Sequence, residues 1–507
     1  MNDVMSARRR QLARGGAAAA VISAATLAAT LAGPTTAGAR SQATPAKPNV
    51  IVIETDDQTA STLRAMPNVS RLLAGQGVTF TESFATWPLC CPSRATFLTG
   101  QYAHNHQVLG NTPPLGGYDR LDHSNTLPVW LQRAGYHTAL VGKYLNGYGR
   151  RGRQAEIPPG WSEWYGSTRN GFLDHTMNEN GRIVTYGTAE SDYSTDVYAR
   201  RAVEIVRRRA PEAAPFFVWL TPFAPHAGRP ADPDDPPRTV GRRLPGAERG
   251  IATTSPAPRH RDRFAATPLP MPPSFNEADV SDKPAYIRNA PSLTAGETAA
   301  IREAYQQQLE SLLAIDDAVA SIVAALEATG ELERTLIVFT ADNGFMHGQH
   351  RRPSGKNLPY ESSIRVPLVM RGPGIPRGVR VSRLVGNIDL APTIVDAADA
   401  QPLRRMDGRS LLPLVADAGA PWRTAVLLER TGPQQPRAAQ RNPGFTAVRT
   451  ARYSWVEYAS GERELYDLAA DPHQLRSRHA DPRYAKLRAD LARRLAALRR
   501  CAGTTCG

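Results

Sequence analysis

The sequence predicts an α/β sandwich with a mostly parallel central sheet, followed by a smaller α+β subdomain with an antiparallel sheet. Three observations carry this. Short β-branched apolar runs alternate with helix-length segments across residues 49–400, the pattern of a parallel sheet covered on both faces. Several runs end in polar clusters, as ligand-binding sheets of this kind do at their carboxyl edge. After about residue 420 the pattern becomes one of short alternating strands. Composition agrees: 41% hydrophobic and 21% charged residues over 507 positions exclude a disordered chain.

Residues 1–39 read as an export signal. Arg8, Arg9, Arg10 and Arg14 precede the uncharged, Ala-rich stretch Gly15–Gly33, and Ala37-Gly38-Ala39 is a small-x-small cleavage site near Ala39. Both general export and, from the paired Arg before Gln11 and Leu12, twin-arginine export stay open. Cleavage takes four Arg and Asp3 and leaves a net charge of +11, against +14 for the whole chain. No later segment approaches ~18 uninterrupted apolar residues, so no stable membrane association is expected afterwards. The protein is therefore expected outside the cytoplasm.

After a Pro-containing linker, Asn49–Ile53 is a buried strand that ends in Glu54-Thr55-Asp56-Asp57. A short helix is expected over 67–76 and a strand over 78–84. Pro favours a first helical turn, so a helix is expected to open just after Pro92, over Ser93–Leu98. Helix 126–134 and strand 136–141 lead into Gly142-Lys143-Tyr144-Leu145-Asn146. Helix 194–209 and strand 216–220 lead into Thr221-Pro222-Phe223-Ala224-Pro225-His226. Residues 228–292 are Pro-, Arg- and Asp-rich, a long surface excursion. Ile301, Tyr305, Leu309, Leu312, Ile315, Val319, Ile322 and Leu326 give the longest helix, 296–329, one apolar face. Strand 335–340 ends in Ala341-Asp342-Asn343-Gly344; strand 366–370 and helix 389–398 follow. Four strands (425–429, 446–450, 453–458, 464–468) and a closing helix, 482–500, complete the chain. The organisation expected is a catalytic domain over 40–415 and a subdomain over 416–507.

Asp56, Asp57, Asp342 and Asn343 are oxygen donors at the ends of two apolar strands. Carboxylates held together repel unless a cation neutralises them. Donors that are all oxygen favour a hard divalent ion, Ca²⁺ or Mg²⁺, over zinc. The basic residues give another signal. Of 61, only Lys47, Lys143, Lys283, Lys356 and Lys486 are Lys. In a chain that otherwise writes Arg, Lys143 and Lys356 beside glycines suggest a need for a compact ammonium. Arg is spread along the chain without dense basic runs and interleaved aromatics, so no nucleic-acid partner is expected. Of the cysteines, Cys501 and Cys506 have a spacing that a small disulfide loop allows. The adjacent Cys90 and Cys91 do not suit a mutual bridge.

Cys90-Cys91-Pro92-Ser93-Arg94-Ala95-Thr96-Phe97-Leu98-Thr99-Gly100 matches the Cys-x-Pro-Ser-Arg, three residues, Leu-Thr-Gly signature of the sulfatase family. The resemblance extends over Asn49–Gln58, Gly142–Asn146, Ala224-Pro225-His226, Thr340–Gly344, Gly355–Pro367, Arg371-Gly372-Pro373-Gly374 and Glu464–Pro472. Leu89-Cys90-Cys91-Pro92-Ser93-Arg94 with Gly142-Lys143-Tyr144-Leu145-Asn146 is most similar to the branch of N-acetylglucosamine-6-sulfatases and bacterial arylsulfatases. The resemblance implies an alkaline-phosphatase-like sandwich and hydrolysis of sulfate monoesters of aryl alcohols or sugars. It implies that a formylglycine-generating enzyme converts Cys90 to 3-oxoalanine (Cα-formylglycine). One hydroxyl of its hydrate would attack sulfur, and the other would expel sulfate from the sulfated enzyme. It further implies that Asp56, Asp57, Asp342, Asn343 and residue 90 hold one Ca²⁺, and that Arg94 orients the hydrate. Lys143 and Lys356 would bind sulfate oxygens, and His226 would protonate the leaving oxygen.

One position departs from the family pattern. Many members carry His two residues after the strand-end Lys, where this chain has Leu145. His104, His106 and Asn146 are candidates to substitute, and His347 and His350 to line the pocket mouth. Two other functions compete with sulfate-ester hydrolysis. One is phosphate or phosphonate ester hydrolysis on the same scaffold; the other is non-catalytic binding of sulfated glycans.

Overall fold

The computed structural model describes residues 47–237, 240, 251–432 and 443–507. The expected export signal and most of the linker lie outside these residues, as does part of the 228–292 excursion. Among the described residues no helix is long and apolar enough to cross a membrane.

The chain builds strands β1 (Asn49–Thr55), β2 (Val78–Phe80), β3 (Ser83–Phe84), β4 (His137–Gly142), β5 (Glu163–Arg169), β6 (Thr176–Glu179), β7 (Arg182–Thr185), β8 (Phe216–Thr221), β9 (Thr335–Ala341), β10 (Leu368–Arg371), β11 (Val379–Val381) and β12 (Val385–Gly386). Ten of them form one sheet in the order β11-β2-β10-β9-β1-β8-β4-β5-β6-β7. Its middle, β9-β1-β8-β4-β5, is parallel, and β10 and the β6–β7 hairpin run antiparallel. Successive side chains point to opposite faces and both faces are covered, so its core strands are apolar throughout. Val50 and Val52 face a core shared with helices Cys90–Thr99, Leu127–Arg133 and Leu390–Ala397. Ile51 and Ile53 face the other, shared with helices Ser194–Arg209 and Ala295–Ala328. The long helix starts in a capping box: Glu297 N donates to Thr294 Oγ1 (3.2 Å) and Thr294 N to Glu297 Oε2 (2.8 Å).

Two expectations differ from the structure, and one segment carried no expectation. The run 78–84 is two strands, and β3 leaves the main sheet to pair with β12. The helix expected over 67–76 is a π-helical turn, Val69–Ala74. The β5–β7 segment lacks a clean apolar alternation and went unread; its last strand is mostly exposed. The described part of the excursion is anchored. Ile251 and Leu269 pack on Ile301, Tyr305 and Leu309 of the long helix.

Strands β13 (Ala425–Arg430), β14 (Phe445–Thr450), β15 (Tyr453–Tyr458) and β16 (Arg463–Asp467) form a separate antiparallel meander. One face takes Leu491 and Leu495 of the closing helix Ala485–Leu498. The other packs on Leu358, Tyr360 and Ile364. Cys501 and Cys506 are disulfide-bonded. A buried ion pair braces the turn before helix Leu390–Ala397: Arg423 Nη2 donates to Asp389 Oδ1 at 2.7 Å. Removing one partner of such a pair leaves an uncompensated buried charge. Arg423→Ala should therefore cost ~3–5 kcal/mol, read as a lowered denaturation midpoint.

Candidate active site

Strand register brings the first site residues together. β1 and β9 pair with Thr55 opposite Ala341, so the next residue of each strand, Asp56 and Asp342, emerges at the same edge. Asp57 turns back in a left-handed conformation (φ 71°) and its N–H donates to Asp342 Oδ1 at 3.2 Å. Asn343 Nδ2 donates to Asp57 Oδ1 (2.6 Å) and to the Gly344 carbonyl (2.9 Å). Gly344 is required by space: a Cβ would lie 2.3 Å from the Ser362 carbonyl oxygen. Asn343 Oδ1 is left buried with no partner.

The signature segment forms helix Cys90–Thr99. It begins two residues before Pro92, not after it. Pro92 fits there at little cost, because first-turn N–H groups need no intrahelical acceptor and Pro has no N–H to leave unpaired. Cys90 thus sits at the helix start with Arg94 one turn on, along the same face. Arg94 is fully buried. Its Nε donates to Asp342 Oδ2 (3.0 Å), Nη1 to the Lys143 carbonyl (2.9 Å), and Nη2 lies 3.7 Å from Asp56 Oδ2. Cys90 Sγ is 3.5 Å from Asp56 Oδ1, and one atom each of Asp56, Asp57, Cys90 and Asp342 lie within 4.8 Å of one another. Cys91 points instead into the apolar core; both thiols are free.

Two ammonium groups close the cluster. Lys143 Nζ pairs with Asp56, and Lys356 Nζ pairs with Asp57 and stands 2.9 Å from Cys90 Sγ. Lys143 follows Gly142 (φ +116°), where a Cβ would meet the Thr221 carbonyl at 2.2 Å. His226, on the loop after β8, places Nε2 3.8 Å from Asp57 Oδ2, and its Nδ1 lies 2.7 Å from the Ala227 carbonyl. About a third of its side chain is exposed, against almost none of the carboxylates. Three carboxylates and an unpartnered amide oxygen are oxygen donors of the kind a hard divalent cation takes; the nearby thiol sulfur is not.

The charges set the protonation states. Burial works against Asp56, but Lys143, His226, Lys356 and Arg94 outweigh it and hold its carboxyl well below the usual range. Burial, reinforced by Asp56, pushes the Cys90 thiol up to about 12. A thiol so protonated is a poor nucleophile near neutrality. Glu54 is raised to about 7 by burial, against the lowering effect of Arg94.

All nine proposed site positions meet here: Asp56, Asp57, Cys90, Arg94, Lys143, His226, Asp342, Asn343 and Lys356. The substitutes suggested for Leu145 fare differently. His104 is bound to Glu429 (3.0 Å) and the Cys501 carbonyl (3.0 Å), and His106 to Thr96 Oγ1 (3.0 Å) and Val108 N (3.1 Å). Both brace helix contacts away from the carboxylates. Asn146 lies on the Cys91 side, where its backbone amide lowers that thiol against the dominant effect of burial. His350 points to Glu277 (2.6 Å) and stacks on Tyr360, so it does not line the mouth. His347 does line a small pocket next to the cluster. Sequence reasoning missed two neighbours. Glu54 was visible as a carboxylate in an apolar strand, and Trp219 Nε1 donates to it at 3.0 Å. Asn111, whose Oδ1 accepts the Cys91 N–H at 3.0 Å, gave no signal in its turn.

Comparison with known proteins is consistent with this geometry. The Sulfatase family model matches residues 48–400, and the model of the N-sulphoglucosamine sulphohydrolase C-terminal region matches residues 348–501. The chain is 33% identical to N-acetylglucosamine-6-sulfatase of Homo sapiens over 505 residues, covering 91% of this chain and 86% of that protein. It is 35% identical over 399 residues to a putative extracellular sulfatase Sulf-1 homologue of Caenorhabditis elegans, covering 75% of this chain and 52% of that protein. Among solved structures, BT4656 in complex with its substrate D-glucosamine-2-N,6-O-disulfate aligns with a TM-score of 0.72 at 23% identity, over 89% of this chain and 97% of that one. The phosphonate monoester hydrolase of Agrobacterium radiobacter aligns with a TM-score of 0.62 at 26% identity, over 89% and 95%.

Proposed function

The chain belongs to the sulfatase family, whose members are sulfuric ester hydrolases, and from that premise we propose that it removes sulfate from a sulfated sugar of the N-acetylglucosamine-6-sulfate type, with Cys90 as the precursor of its nucleophile. The observation that carries this is the placement of Cys90: at a helix start, touching Lys356 and Asp56, with Arg94 behind it. A thiol kept protonated by burial is unsuited to attack sulfur itself. Conversion to Cα-formylglycine by a formylglycine-generating enzyme resolves that; its hydrate supplies two geminal hydroxyls where a thiol offers one group.

The chain's own residues then have separable tasks. Asp56, Asp57, Asp342 and Asn343, with residue 90, would hold one Ca²⁺, which when bound offsets the charge of both nucleophile and sulfate. Arg94 fixes Asp342 and the β4 loop in one arrangement. Lys143 and Lys356 present ammonium groups to the sulfate oxygens, where charge develops in the transition state. His226, more exposed than the carboxylates, stands where the departing alcohol leaves and protonates its oxygen. Residues 40–415 form the catalytic part and 416–507 a supporting subdomain in this reading. Export is supported by the N-terminal pattern, by the Cys501–Cys506 disulfide and by a relative named extracellular.

Turnover of N-acetylglucosamine-6-sulfate, aryl sulfate, aryl phosphate and aryl phosphonate tests the reading; the sulfates should be preferred, and a phosphonate preference would overturn it. The cation has its own test. A ligand at 100 times its Kd stabilises by ~2.7 kcal/mol. Chelator-treated protein should therefore melt several degrees higher once Ca²⁺ is restored. An unchanged melting temperature would remove Ca²⁺ from the site.

A further inference from the structure

Lys356 touches residue 90, with Nζ 2.9 Å from Cys90 Sγ, yet no strand or helix carries it. It follows a short hairpin, residues 346–355, beyond the end of β9. Met346 N donates to the Gly355 carbonyl at 2.7 Å and Gly348 N to the Arg352 carbonyl at 2.8 Å. At the tip His350 and Arg351 both hold left-handed backbone (φ 50° and 59°). Side chains persist in that conformation only where their surroundings over-determine it.

Segment 274–283 of the long excursion supplies those surroundings. His350 N donates to the Ser274 carbonyl at 2.7 Å, and Asn276 N to the Gly348 carbonyl at 2.9 Å. The Arg351 guanidinium reaches the backbone carbonyls of Glu277 (2.8 Å), Ala278 (2.6 Å) and Ala290 (3.2 Å). The Glu277 side chain joins the rest. Its Oε2 accepts from His350 Nδ1 at 2.6 Å, and its Oε1 pairs with Lys283 Nζ at 3.1 Å. All three side chains are buried. Burial lowers the His350 imidazole against the opposing pull of Glu277. The ring is therefore neutral near pH 7, and beside a carboxylate its single proton sits on Nδ1. Lys283 Nζ also donates to Asp282 Oδ1 (2.9 Å) and to the carbonyl of Leu475 in the C-terminal subdomain (2.7 Å). One compact ammonium thus faces three oxygens, which accounts for a Lys where the chain otherwise writes Arg. His350 stacks on Tyr360 at 4.2 Å between centroids. The ring therefore ties together the chain on both sides of Lys356.

We infer that Glu277 is a positioning residue: through His350 and Lys283 it holds the hairpin that sets the Lys356 ammonium against residue 90. It acts on the sulfate only through Lys356. The inference rests on the sulfatase reading, in which Lys356 binds sulfate oxygens.

The test uses full-length protein whose residue 90 is shown by mass to be converted. kcat/KM is measured on 4-nitrophenyl sulfate, whose good leaving group keeps slow variants measurable. Glu277→Gln keeps the shape but has one oxygen for two donors, so its NH₂ faces either Lys283 or His350. It should lower kcat/KM at least ~10-fold, within the ~10²-fold that a misplacement of about 1 Å commands. His350→Phe keeps the stack on Tyr360 and removes the donor to Glu277. It should lower the rate likewise, and it carries the test should Glu277→Gln not fold. Lys356→Ala alone should cost ~10²–10³-fold, as loss of a transition-state donor does. A residue that acts through Lys356 has nothing further to lose there. Added to Lys356→Ala, either change should therefore alter kcat/KM by less than about twofold. The same tenfold loss in both backgrounds would mean a general structural role and overturn the inference, as would a wild-type rate in either folded variant. Both of those results leave the hydrolase standing. Wild-type protein that turns over no sulfate ester would sink the hydrolase, and the positioning role with it.

Discussion

Replacing Cys90 with Ala is expected to abolish sulfate-ester turnover, by at least ~10³-fold, while the protein stays folded. Loss of a covalent nucleophile is among the largest single-residue effects on catalysis. The structural cost should be small. Cys90 Sγ contacts Lys356 Nζ at 2.9 Å and Asp56 Oδ1 at 3.5 Å, and both partners keep other charged neighbours. Its helix is also held from behind by Arg94 and by Asn387 Nδ2, which donates to Ser93 Oγ at 2.8 Å. Denaturation midpoints near wild type together with absent activity are the expected pair of results. Cys90→Ser separates the roles further. A single hydroxyl can accept sulfate but lacks the second group needed to expel it. At most one sulfate per chain should therefore accumulate, visible by mass. Sustained turnover by this variant would contradict the geminal-hydroxyl account.

Asp342→Ala should remove metal binding and activity together and destabilise the protein by ~3–5 kcal/mol. Asp342 Oδ2 accepts from Arg94 Nε at 3.0 Å and Oδ1 from the Asp57 N–H at 3.2 Å. Among the described residues, truncation leaves the wholly buried Arg94 with Asp56, at 3.7 Å, as its ion-pair partner. Asp342→Asn keeps one acceptor oxygen, so one of the two donors then faces its NH₂, and the charge is lost. It should recover part of the stability but little of the Ca²⁺ affinity. Titration calorimetry with Ca²⁺ and chemical denaturation on both variants separate the two contributions. Unchanged Ca²⁺ affinity in Asp342→Ala would take Asp342 out of the metal site.

The sheet and its functional edge were legible because they follow from local rules. An apolar strand that stops at Asp-Asp, or at Ala-Asp-Asn-Gly, announces both its burial and its end. The parallel register of β1 on β9 then follows from the α/β alternation, and it delivers Asp56 beside Asp342. Lys143 and Lys356 stood out against an Arg-rich background, and both are at the cluster. Histidine was harder to place. His104, His106 and His350 carry no local mark that separates a ring bound to Glu429, Thr96 or Glu277 from one facing substrate. Those partners lie far off in sequence or on another face, so only the fold decides. Asn111 was invisible for the same reason: its contact to the Cys91 N–H spans a loop. The β5–β7 segment escaped because its edge strand is mostly exposed and needs no apolar pattern.

The account turns on the chemical state of residue 90. Mass analysis of the peptide containing Cys90–Arg94, on protein purified from its own host and assayed in parallel, reads that state directly. The account predicts an aldehyde or its hydrate at this position, in a fraction that scales with specific activity. Fully active protein that retains an unaltered thiol there would contradict it.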